Sequence, residues 1–143
     1  MSKIKIPIWD NAYDFPEELE DVGLMLLSLS DRDHQVRVWA KAEGPEVQWF
    51  GEAFFNVELQ TQYFKNDIRN CEIKLSKEQI KAILRIEIMF KHFDRLPESR
   101  TFPDDFHERQ MAIIDHPYFE KIRKRAAYAA SLIRLPVPRN KAK

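Results

Sequence analysis

Apolar and polar residues alternate through much of the first half of the chain, and beyond residue 76 the apolar ones recur every three or four positions. A strand turns successive side chains to opposite faces, whereas a helix returns to one face after about 3.6 residues. The change of period therefore predicts a sheet followed by helices. His34–Ala42 places Val36, Val38, Ala40 and Ala42 on one face and Gln35, Arg37, Trp39 and Lys41 on the other. Val47–Gln60 is the longest expected strand, with Val47, Trp49, Ala53, Phe55, Val57 and Leu59 inward and Gln48, Glu52, Asn56, Glu58 and Gln60 outward. Glu43-Gly44-Pro45 between them has turn chemistry and predicts a hairpin, and Gly51 marks a bulge. Lys3–Trp9, Val22–Leu29 and Asn70–Leu75 supply the remaining strands, with a short helix opened by Asp14 and Pro16 running to about Asp21.

Helical signals take over at Ser76-Lys77-Glu78-Gln79, a capping box in which each side chain satisfies the other residue's free amide. The pattern predicts a helix from Lys77 to about Arg95, a connector over Glu98–Asp105, and a shorter helix over Asp105–Ile114. Asp115 and Pro117 open the last helix, whose buried stripe runs through Tyr118, Phe119, Ile122, Ala126, Ala129 and Ile133 before Pro136 and Pro138 end it. The expectation is an α+β domain over 1–135 and a basic, flexible tail over 136–143. In that fold a mostly antiparallel sheet of about four to five strands fills the N-terminal half and roughly two to three helices pack on it.

Composition narrows the class. With 143 residues, 44% of them hydrophobic, and three glycines, the chain is long enough and apolar enough to bury one core without metal or disulfide. Cys71 is the single cysteine and no segment reads as a signal peptide or a membrane span, so a reducing cytoplasm is the expected setting.

Charge adds the strongest hint of function. The formal net charge is zero, yet the signs are segregated. Asp10, Asp14, Glu17, Glu18, Glu20, Asp21 and Asp31 follow one another with no Lys or Arg between them, while Lys121–Lys143 holds Lys121, Arg123, Lys124, Arg125, Arg134, Arg139, Lys141 and Lys143 with no acid. Clustered like charges repel unless a partner answers them. Asp10, Asp14, Glu17, Glu18, Glu20 and Asp21 are therefore candidates for contact with a basic protein. Phe50 and Phe54, on the otherwise polar face of the longest strand beside Glu52 and Glu58, form a second candidate surface unless a helix covers them; Trp39 joins it if the hairpin register allows. Lys121, Lys124, Arg125 and Tyr128 on one face of the last helix, with Arg139, Lys141 and Lys143 beyond it, suit a phosphate backbone or stand as a solvated helix face.

Catalytic chemistry finds little support. Asp104, Asp105, His107, Glu108, Asp115 and His116 are the one cluster of acid-base and metal-ligand types, and the two histidines, nine apart, match no metal motif; capping of the adjacent helices is the simpler role. Glu87 falls inside the expected buried stripe, where an ion pair with Lys91 one turn on would answer it. No catalytic, metal or cofactor residue is assigned. The leading expectation is a non-catalytic module that binds a basic protein, of the inhibitor or immunity type; a nucleic-acid-associated protein is the alternative and an enzyme with a His/carboxylate site the third. Oligomeric state is left open.

Overall fold

The computed structural model describes residues 15–43, 49–70 and 72–135. Among them there is no strand. The chain opens with a 3-10 turn at Glu17–Leu19 and continues through α1 (Glu20–Ser30), α2 (Arg32–Gln35) with a π-helical turn at Val36–Ala40, α3 (Phe50–Arg69), α4 (Lys77–Asp94), a 3-10 turn at Pro97–Arg100, α5 (Phe106–Ile114) and α6 (Pro117–Ile133). The expected α+β fold with its antiparallel sheet is thus replaced by an all-helical one.

The correction has a physical reason at each expected strand. Along α3 the buried residues are Phe50, Ala53, Val57, Thr61 and Phe64, a helical spacing of three and four. Ala53 and Val57 are four apart, a separation that satisfies a strand face and a helix face equally. Phe50 breaks the alternation, and it is the residue that reveals the helix. Val22–Leu29 is buried on almost every side within α1, and a short, fully apolar run has no period to read. In the segment expected as strand His34–Ala42, His34, Gln35, Val38, Trp39 and Ala40 are all buried, so packing overrides the β preference of its valines. Gly51 lies within α3 rather than at a bulge. Glu72–Leu75 is an irregular connection in which Ile73 is buried. The strand expected at Lys3–Trp9, with Gly44, Pro45, Cys71 and the tail 136–143, lies outside the described residues.

α1, α3, α4 and α6 pack as a ring, α6 lying against α1 and α4 and α3 against the same two helices. Ala126, Ala129 and Ala130 on α6 let α1 approach closely, and Leu26, Leu29, Ile83, Ile86, Ile122 and Phe64 are fully buried around them. At one end of the ring an aromatic cluster closes the core. Phe50 stacks on Phe90 with ring centres 5.7 Å apart, and Trp39 meets Phe119 edge-on at 5.7 Å. Gly23 permits a further close contact, since a Cβ there would stand 2.5 Å from the ring of Phe15.

Capping explains how the helices start. The Ser76–Gln79 box forms in both directions, at 3.1 and 2.8 Å. Asp105 accepts from the Glu108 amide, and His116 Nδ1 accepts from the Tyr118 amide. α3 has no such local cap; the Phe50 amide donates to Oε1 of Gln110, 60 residues away on α5. α5 also braces the π turn, His107 Nδ1 lying 2.5 Å from the Ala40 carbonyl. The turn ends with the Lys41 and Glu43 amides bonded back to Val36 and Arg37, which carries Ala42 into the left-handed region at φ 52°.

Candidate functional site

In this ring the seam between α1 and α3 lies across the bundle from the seam between α4 and α6. Each seam is a surface groove, and they differ in charge.

The α1/α3 groove has a volume of about 340 Å³. Glu18 from the 3-10 turn and Asp21 from α1 form one wall, and Tyr63, Asn66 and Asp67 from α3 form the other; no Lys or Arg lines it. Acids gather here because a helix N-terminus carries partial positive charge, which favours Glu17, Glu18, Glu20 and Asp21 in the first turns of this segment. All four are exposed, and none makes an ion pair among the described residues. Asp10 and Asp14, expected to belong to the same surface, lie outside the described residues.

The aromatic surface expected at Phe50 and Phe54 is not found. Phe50 is buried against Phe90, Phe93 and Phe119, and Phe54 is half-buried against Phe50 and Phe90. Four residues apart on a helix, both point inward, while Glu52 and Glu58 are exposed. The exposed rings of α3 are instead Phe55, 65% exposed, and Tyr63, 52% exposed. A helical reading of the same residues would have found them, because Phe55, Leu59 and Tyr63 fall on the side opposite the buried stripe. Trp39 is fully buried and takes no part in a surface.

The α4/α6 groove is wider, about 570 Å³, and lined by Arg85, Lys121, Lys124 and Arg125 with Tyr118, Tyr128 and Met89. Three of the cations and Tyr128 were expected on one helix face; Arg85 comes from α4, and Tyr118, expected in the buried stripe of α6, is only half-buried and lines the groove. The Tyr128 hydroxyl donates to Glu78, which holds its proton and pushes its pKa above the ordinary tyrosine value. Arg123 belongs to the interior. Its guanidinium donates to Gln35 Oε1 at 3.0 Å, pairs with Glu120 and lies over the Phe119 ring, while Gln35 donates in turn to the Leu29 carbonyl. Arg139, Lys141 and Lys143 lie outside the described residues.

Of the residues considered for catalysis, Asp104 and Glu108 are exposed, and Asp105, His107, Asp115, His116 and Glu87 have structural partners. Asp115 pairs with Arg32, His116 caps α6 and faces Glu98 at 3.6 Å, and Glu87 sits between Lys91 and Lys65 at 3.6 and 3.8 Å. Among the described residues no group of His, Cys, Asp or Glu could hold a metal ion, and no helix is long and apolar enough to cross a membrane. Burial pushes the His34 imidazole below its ordinary value, an effect the Asp31 carboxylate opposes. Comparison with protein-family models, with curated proteins and with solved structures finds no match.

Proposed function

We propose that this chain is a non-catalytic binding protein that recognises and neutralises a basic protein through the acidic seam of α1 and α3. The observation that carries the reading is the convergence of Glu18 and Asp21 with Tyr63 and Asp67 around one groove free of cations. Carboxylates on such a rim draw a basic partner in and fix its orientation, and Tyr63 offers a half-exposed ring as an anchor at the centre. Phe55 extends the contact surface along α3. The tight helical ring and its aromatic core supply a rigid platform, so little order need be gained on binding.

Replacing Glu17, Glu18, Glu20 and Asp21 with Gln or Asn tests the reading. A basic protein captured on the wild-type chain and then purified should associate with this variant roughly tenfold more slowly at low salt and with a weaker salt dependence. Stopped-flow association over a range of salt concentrations measures both. An unchanged rate and salt response would overturn the proposal.

A further inference from the structure

The opposite seam carries a separate surface. Arg85 from α4 and Lys121, Lys124 and Arg125 from α6 converge on one open groove, and none of the four makes an ion pair among the described residues. Cations brought together from two helices repel, so the arrangement does not serve the fold. Nor does it express a general excess of positive charge, because the chain as a whole is neutral. We infer that the α4/α6 groove binds a strand of single-stranded nucleic acid, its cations meeting the phosphates and its tyrosines the bases.

The groove alternates charge with ring faces. Lys121 Nζ lies 5.9 Å from the centre of the Tyr118 ring, and the Arg125 guanidinium 5.7 Å from that of Tyr128. A single strand presents the matching alternation of phosphate and unpaired base, for which cations and aromatic faces are the sequence-tolerant complement. Tyr118 and Tyr128 are separated by about 15 Å along α6, with Lys121, Lys124 and Arg125 between them, which is room for a short run of nucleotides. The Tyr128 hydroxyl is held by Glu78, so the one carboxylate bonded at the groove's edge fixes a ring. An acidic protein segment is the other anionic occupant, but it presents carboxylates without the flat unpaired bases that the two tyrosine rings of the groove would stack. Beyond α6 the sequence continues with Arg139, Lys141 and Lys143 and no acid.

Fluorescence anisotropy of the full chain with a labelled oligothymidylate, repeated with oligouridylate between about 20 and 200 mM salt, tests the inference. Four phosphate contacts predict a log-log salt slope of about −3, and the triple variant Lys121→Gln, Lys124→Gln, Arg125→Gln should bind at least tenfold more weakly at 50 mM salt with the slope reduced by about 2. A thermal melt of the variant confirms that it is folded. The variant with Glu17, Glu18, Glu20 and Asp21 neutralised should retain oligonucleotide binding, which separates this surface from the acidic seam. Absence of binding at 20 mM salt, equal binding by a folded triple variant, or equally tight binding of labelled polyglutamate would each overturn it, the last in favour of an acidic protein segment.

Discussion

Two seams of the helical ring are open grooves edged by tyrosine, yet the α1/α3 seam presents Glu18, Asp21 and Asp67 where the α4/α6 seam presents Arg85, Lys121, Lys124 and Arg125. The ionic contacts that join parts of the fold lie elsewhere, between Arg32 and Asp115, around Glu87, and at the buried Arg123. Charge in this molecule has thus been divided into two kinds. Inward or bridging charges are ion-paired or hydrogen-bonded, while the seam charges make no ion pair among the described residues, and at the surface their mutual repulsion is tolerable.

Neighbouring positions on α6 offer the sharpest way to break that division. Arg123→Ala removes packing from Phe119 and strands Gln35 Oε1 in the interior, and should destabilise by about 2–4 kcal/mol, lowering Tm by roughly 10 °C. Lys124→Gln, one residue along and exposed, should stay within about 0.5 kcal/mol of the parent. Equal effects in urea denaturation would dissolve the distinction between paired and seam charges.

A smaller effect is expected beneath the acidic seam. Gly23→Ala gains about 1 kcal/mol of helix propensity but drives a methyl group into the Phe15 ring, a clash worth about 1–3 kcal/mol, so a net loss near 1 kcal/mol is expected. A gain in stability by the same denaturation assay would show that Phe15 yields freely and that the acidic seam rests on a soft support.

The smallest effect concerns pH and touches neither seam. Because burial lowers the His34 pKa below its ordinary 6.5, the unfolded chain binds this proton more tightly than the folded one. Stability is then full above pH 6.5 and declines as the pH falls below it, until the folded-state value is passed. Thermal melts between pH 7 and 5.5 should show a shallow decline that His34→Gln flattens; persistence of the slope in that variant would move its origin to other groups.

How much of this could be read from sequence depended on where each helix finds its cap. α4, α5 and α6 announce themselves because Ser76 with Gln79, Asp105 with Glu108, and His116 with Pro117 lie within a few residues of one another. α3 is capped by Gln110 from the other half of the chain, and its central apolar pair is spaced ambiguously, so local pattern favoured a strand. The π turn at Val36–Ala40 has no sequence period of its own to display. The candidate sites followed suit. Lys121, Lys124, Arg125 and Tyr128 could be grouped because α6 was legible as a helix, and Glu18 and Asp21 because they are adjacent in sequence. Tyr63 and Asp67 stayed hidden behind the misread α3, and Arg85 behind the need to know which helix α6 lies against.

Opposite signs on opposite seams, in a chain of zero formal net charge and a sequence isoelectric point of about 6.9, set a dipole between the two grooves. In a uniform field it would turn without drifting. In dilute buffer, where the screening length of about 30 Å at 0.01 M matches the size of a small protein, the negative side of one copy attracts the positive side of the next. Added salt shortens that reach, so solubility near neutral pH should rise with ionic strength: the chain is expected to salt in.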